Sequence, residues 1–210
     1  SSHESYRGPG FEKGLAILEK VKNTVAVPFL TDVHDDTPLN EFAAVVDVLQ
    51  TPAFLCRQTN FIQNVAKQGL PVNIKKGQFA AANAMQHAIQ KVKDSGNDLI
   101  WQTERGNMFG YGDMIVDYRN IPEMQSFGAP VVMDCTHSVQ QPNNGTGVTG
   151  GRPEMIETIA KAAVAVGVDG LFIETHPSPF SAKSDGANML PLDEIEGLLA
   201  KLVRVRNAVR

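Results

Sequence analysis

Four cations stand where short apolar runs break off: Arg57 after PAFLC, Lys75 and Lys76 after LPVNI, and Arg105 after DLIWQTE. Arginine offers a planar fork that matches carboxylate or phosphate oxygens two at a time, and lysine a compact positive charge. Several of them converging would suit a small ligand that carries both anions, whereas any one alone could equally pair with a carboxylate at a rim. A second set is His137, Glu174 and Asp185, one imidazole and two carboxylates, which suits a divalent ion such as Zn²⁺, Mn²⁺ or Fe²⁺. A histidine at the end of an apolar run serves as readily as a general acid or base. Asp32 and His34, beyond VAVPFLT, could position a polar substrate or simply open a turn.

These residues act together only if the chain brings them to one mouth. Six apolar runs (VAVPFL, VVDVLQTPAFL, LPVNI, DLIWQ, APVVM and GLFI) end on such polar residues, and most of the intervals between them carry helical periodicity. Phe11, Leu15, Leu18 and Val21 make one stripe, and Phe42, Val45 and Val46 a short one. Phe61, Ile62, Val65 and Ala66 follow Thr59, expected as their cap, and Gly69-Leu70-Pro71 ends them. Ala84, Met85, Ala88, Ile89 and Val92 make the next stripe, then Met155, Ile156, Ile159, Ala160 and Ala163, and finally Leu192, Ile195, Leu198, Leu199 and Leu202. Strand, loop and helix in that rhythm describe a TIM (β/α)₈ barrel, in which catalytic groups sit just beyond the carboxyl ends of the strands. The expected fold is therefore α/β, a single catalytic domain over residues 1–210 with six of eight βα units recognisable. An open doubly wound sheet is the competing arrangement, weakened by the lack of a G-x-G-x-x-G after the first run. Gln141 to Gly151 reads as one long Gly/Asn/Thr-rich loop beyond a strand end, in the place of a mobile lid.

Bulk properties narrow the function. A length of 210 residues suffices for one well-buried domain, short of the roughly 250 of a typical full barrel. With 42% apolar and 20% charged residues and a net charge of −4, no basic stripe is available for nucleic acid. No apolar run approaches the roughly 20 residues of a membrane span, and two cysteines, Cys56 and Cys135, make no disulfide framework. Both cysteines read as small buried hydrophobes, and a reducing, cytoplasmic setting is expected.

Eight segments carry more than rhythm. SSHESYRGPG, FLTDVHDD, PAFLCRQTN, VNIKKGQF, TERGNMFGYGDMIVD, MDCTHSVQQP, GLFIETHPSP and SDGANMLPL, collinear over almost the whole chain, resemble the 3-deoxy-D-manno-octulosonate 8-phosphate synthase family. The related heptulosonate 7-phosphate synthases share parts of these motifs, but the RGPG opening and ETHP favour the octulosonate enzymes. The resemblance implies a homotetrameric TIM barrel that condenses phosphoenolpyruvate with D-arabinose 5-phosphate and releases phosphate, with no organic cofactor. An inactive barrel fragment that binds anions or metal is the reading from another class.

Carried over residue by residue, the resemblance makes Arg57, Lys75 and Arg105 the phosphoenolpyruvate-binding cations, with Gln78 and Gln140 in the same substrate pocket. Asp32 would meet the sugar hydroxyls, and Asp32, His137 and Asp185 would be the catalytic groups. His137, Glu174 and Asp185 would be three of four metal ligands; the fourth, a cysteine early in the family barrel, has no counterpart here. Ser1 and Ser2 match the end of an N-R-[ST]-S segment that holds the pentose phosphate, so the chain looks like the carboxyl-terminal six-eighths of such an enzyme. Ser184-Asp185-Gly186-Ala187 stands where the metal-independent branch typically reads Cys-Asp-Gly-Pro, so on that segment the sequence looks more like the metal-dependent branch, although His137, Glu174 and Asp185 also match metal-independent relatives.

Overall fold

The computed structural model describes residue 6 and residues 8–108, 112–142 and 149–210. Ten strands and seven α-helices run along them. The strands are β1 (Leu30–Asp32), β2 (Val48–Thr51), β3 (Val72–Lys75), β4 (Ile100–Glu104), β5 (Val131–Asp134), β6 (Gln140–Gln141), β7 (Gly150–Gly151), β8 (Gly170–Phe172), β9 (Thr175–His176) and β10 (Leu190–Pro191). The helices are α1 (Phe11–Thr24), α2 (Leu39–Val45), α3 (Thr59–Ala66), α4 (Met85–Lys93), α5 (Asn120–Gln125), α6 (Ile156–Val166) and α7 (Ile195–Ala208). Six strands share one sheet in the order β1-β2-β3-β4-β5-β8. Pairing is parallel from β1 to β3 and between β5 and β8. The fold is α/β, with helices alternating with the sheet strands as in six units of a TIM barrel.

By internal packing the chain forms two compact units, one of residues 8–77 and 81–102, the other of Tyr6, 78–80 and 103–210. In the first unit, β2 and β3 are buried at every position, as expected of strands covered on both faces. Helices α3 and α4 bury the expected stripes: Phe61, Ile62, Val65 and Ala66 on one, Met85, Ala88, Ile89 and Val92 on the other. Each large side chain of this set removed from water contributes about 1.5–3 kcal/mol. Thr59 is not the cap of α3. It is the first helical residue, preceded by Gln58 in an extended conformation, and no side chain caps the helix.

The VAVPFL run also departs from expectation. Only Leu30 joins β1, while Val25 and Val27 lie outside the strand, Val27 with 59% of its surface exposed. Pro28 offers no N–H to a ladder, and β1 is the end strand of the sheet, so this run is neither fully paired nor covered. Helix α1 forms as its spacing predicts yet buries none of its residues. Lys22 ties it to the segment between α2 and β2, donating to the carbonyl of Val45 and pairing with Asp47 at 3.3 Å.

In the second unit α6 buries Ile156, Ala160 and Ala163, after a 3₁₀ turn whose first residue is Pro153. Helix α7 buries only Leu198 and Leu202, leaving Leu192 before it and Leu199 on it exposed. The two helices are joined across their surfaces by Glu157, which pairs with Lys161 on its own helix and Lys201 on α7. The stretch read as one loop from Gln141 to Gly151 is structured at both ends. Its first and last residues belong to β6 and β7, which pair antiparallel, and its 143–148 segment lies outside the described residues.

Candidate active site

The first unit carries Asp32, Arg57 and Lys75, at or just beyond the carboxyl ends of strands. Asp32 closes β1 and accepts a hydrogen bond from Gln50 Nε2 at 2.8 Å; Gln50 Oε1 in turn accepts from Asn73 Nδ2 at 2.7 Å. This row runs across β1, β2 and β3 and holds the carboxylate in place, a link not visible in spacing alone. Lys75 closes β3, nearly buried, and Lys76 after it is fully buried with its ammonium 3.4 Å from the carbonyl of Gly77. Arg57 is exposed on the turn after β2, and its carbonyl accepts from Lys91 Nζ at 2.9 Å. Cys56 beside it is a buried thiol whose pKa is raised by burial against the opposing pull of the Gly77 backbone, Lys76, Arg57 and Lys91. Cys135, in the second unit, is likewise buried and protonated.

Six predicted residues come together in the second unit. Arg105 follows β4, is nearly buried, and donates from Nη1 to Gln78 Oε1 at 2.8 Å and from Nη2 to Gln140 Oε1 at 2.7 Å. Burial lowers its pKa, opposed by the negative charges of Asp134, Glu104 and Asp185, and a guanidinium so placed remains charged. The backbone turn that carries Arg105 is held by Glu104, a fully buried carboxylate. Its Oε1 accepts from the backbone N–H groups of Arg105 and Gly106 at 2.8 and 2.6 Å, and its Oε2 from Asn120 Nδ2 at 2.8 Å. Gly106 has φ +83, and a Cβ there would stand 3.1 Å from the carbonyl oxygen of Ile115, so the turn requires glycine.

The ends of β5 and β8 and the turn between β9 and β10 supply the metal-type set. His137 opens a 3₁₀ turn three residues after β5 ends at Asp134. Its Nδ1 lies 2.8 Å from Asp134 Oδ2, while Asp134 Oδ1 accepts from the backbone N–H groups of Thr136 and His137. That pairing makes Nδ1 the donor to Asp134 and turns Nε2 toward Glu174, whose Oε1 lies 3.7 Å away; in the neutral imidazole Nε2 carries the lone pair a metal would take. Glu174 follows β8, its backbone N–H anchored on Thr136 Oγ1 at 2.7 Å. Asp185 lies between β9 and β10 with φ 51, the one positive φ at a non-glycine residue among those described. Strain of that kind persists only where its surroundings enforce it.

Ligand atoms of His137, Glu174 and Asp185 all lie within 4.8 Å of one another. Donors about 2.1 Å from a shared ion stand roughly 3–4 Å apart, so closing the set needs only small side-chain shifts. One imidazole nitrogen and two carboxylate oxygens, half-buried, fit a divalent transition metal. Glu104 and Asp134 stand among the polar residues that close the DLIWQ and APVVM runs, but spacing assigned neither a role of its own; Thr136 and Asn120 carried no such signal. Ser1 and Ser2 lie outside the described residues. No helix among the described residues is long and apolar enough to cross a membrane.

Against known proteins, the whole chain, residues 1–210, matches the model of the DAHP synthetase I family. A protein of Legionella pneumophila (strain Lens) named 2-dehydro-3-deoxyphosphooctonate aldolase is 60% identical over 202 residues, 96% of this chain and 74% of its own length. Proteins of the same name from Nitrosococcus oceani and Alkalilimnicola ehrlichii are 58% and 56% identical, over 99% and 100% of this chain and 74% and 76% of theirs.

Proposed function

The chain belongs to the DAHP synthetase I family, and on that premise we propose that it condenses phosphoenolpyruvate with D-arabinose 5-phosphate and water to give 3-deoxy-D-manno-octulosonate 8-phosphate and phosphate. The relatives at 56–60% identity carry the name of that enzyme, 2-dehydro-3-deoxyphosphooctonate aldolase. The single observation that supports the reading most is the arrangement around Gln140, whose amide touches both the Arg105 guanidinium and the Asp185 carboxylate. An anion-binding fork and a metal-type trio are thereby adjacent, which suits a reaction between a phosphorylated enol and an aldehyde.

In the reaction, carbon 3 of phosphoenolpyruvate bonds to the aldehyde carbon of the sugar. Water adds at carbon 2, and the carbon–oxygen bond to the phosphate then breaks. We assign Arg105, Lys75 and Arg57 to the phosphate and carboxylate of phosphoenolpyruvate, with Gln78 fixing the Arg105 fork. The gain is positional and electrostatic: two anionic substrates are held in line, and charge developing on the aldehyde oxygen meets fixed positive groups. Asp32, steadied by Gln50, is assigned to the sugar hydroxyls. His137 presents Nε2 toward the reacting groups because Asp134 holds Nδ1.

His137, Glu174 and Asp185 would hold a divalent metal, which supplies Lewis-acid polarisation of an aldehyde and acidification of a bound water. Family resemblance further supports a homotetramer working in the cytoplasm, to be checked by sedimentation of the full-length protein. Phosphate release from the two substrates tests the assignment of reaction. Chelation tests the metal: activity lost to dipicolinate or EDTA and restored by Mn²⁺, Zn²⁺ or Fe²⁺ supports it, and indifference to chelation removes it.

A further inference from the structure

We propose that Gln140 couples an anion site at Arg105 to the cation site at His137, Glu174 and Asp185, so that anion and metal each strengthen the binding of the other; this rests on the metal reading above. Gln140 Oε1 accepts from Arg105 Nη2 at 2.7 Å, and its Nε2 donates to Asp185 Oδ1 at 3.0 Å. One planar amide therefore joins the two subsites, oxygen toward the cation and nitrogen toward the carboxylate.

The amide has little freedom to choose other partners. Gln140 begins β6, paired with Gly151 of β7, and its carbonyl accepts from the Met114 N–H at 3.2 Å. Gly151 packs so closely on Asn188 that an added Cβ would meet Asn188 Oδ1 at 1.8 Å and the Ala187 carbonyl at 2.6 Å. Asn188 is fully buried, and its backbone N–H donates to the Asp185 carbonyl at 2.8 Å. The hairpin that carries the amide and the strained turn that carries the carboxylate are thus packed as one body.

The sign of the coupling follows from charge. Arg105 polarises the amide, which makes Nε2–H a stronger donor and draws electron density from Asp185; hydrogen bonds in a chain reinforce one another in this way. An anion on Arg105 neutralises that pull. Asp185 then becomes a better metal ligand, and an incoming cation meets less positive potential. By linkage the metal must raise anion affinity by the same factor, expected near tenfold, within the usual range of about 5–150-fold.

The test is Mn²⁺ binding to the metal-stripped full-length protein, followed by the electron paramagnetic resonance of free Mn²⁺, with and without inorganic phosphate. Protein-free samples correct for Mn²⁺–phosphate complexes. Phosphate should tighten Mn²⁺ about tenfold, and Mn²⁺ should tighten phosphate by the same factor. Gln140→Leu should cut that factor several-fold, to the through-space remainder, with each ligand still bound alone. Gln140→Asn, an amide too short to span the two groups, should do the same and stands in if the leucine variant misfolds. A wild-type factor of one, or an undiminished factor in the variants, overturns the coupling while leaving the metal site intact. Absence of any Mn²⁺ binding to the wild type overturns the metal reading and the coupling with it.

Discussion

Asp134 and His137 are locked together: the carboxylate, with no exposed surface, lies 2.8 Å from the imidazole Nδ1. Replacing Asp134 by Asn puts either a weaker acceptor or an N–H donor at that point. The donor would flip the imidazole tautomer and put a proton on Nε2. Loss of such a carboxylate typically costs about 10–100-fold in metal affinity. Titration of Zn²⁺ or Mn²⁺ into the variant should show that loss with an unchanged circular dichroism spectrum. Wild-type affinity would show that Asp134 does not orient the ligand.

The cations should divide from the metal set in kinetics. Lys75→Ala should raise the KM for phosphoenolpyruvate and leave metal content as in the wild type, whereas His137→Ala should lose both metal and turnover. Arg105→Lys keeps the charge but loses the fork that Gln78 and Gln140 hold, so KM should rise about tenfold or more. An Arg105→Lys enzyme with ordinary kinetics would remove the fork from the reaction.

Glu157 provides a pH signature away from the site. Hydrogen bonds from Lys161 and then Lys201 hold its pKa down to about 2. A carboxylate depressed in the folded state contributes stability above its unfolded pKa of roughly 4.3, and loses it as pH falls toward about 2. Both partners are half-exposed, and solvent screening keeps the effect small. The Tm of Glu157→Gln should fall slightly below wild type at pH 6, and the gap should close at pH 2–3. A constant gap would mean that packing, and not charge, joins α6 to α7.

Both thiols should be silent in the folded protein. Cys56 and Cys135 are buried, with pKa values raised by burial, so the reactive thiolate is disfavoured. A disulfide reagent at pH 8 should label neither until guanidinium unfolds the chain. Rapid labelling of Cys56 would show that its cationic neighbours outweigh its burial.

What could be read from sequence was set by which forces are local. Strands β2 and β3 are apolar runs flanked by breaks, and their burial on both faces leaves a pattern in the residues themselves. VAVPFL is still more apolar, but its fate depends on lying at the sheet end, which no local window contains. Arg105, His137 and Glu174 stood out because each follows an apolar run, and Asp185 because it lies in the loop after the last one. The links between them did not stand out, since Gln140 meets partners 35 and 45 positions away. The ends of the 141–151 stretch misled because a two-residue ladder at Gly150–Gly151 has no side-chain pattern to betray it.

The most direct measurement is phosphate release by the full-length protein from phosphoenolpyruvate with each of two aldoses. With D-arabinose 5-phosphate, phosphate should appear in step with an eight-carbon 3-deoxy sugar acid, one for one. With erythrose 4-phosphate the rate should be negligible. Release with erythrose 4-phosphate alone would transfer the assignment to heptulosonate synthesis, and release with neither sugar would contradict the assigned reaction.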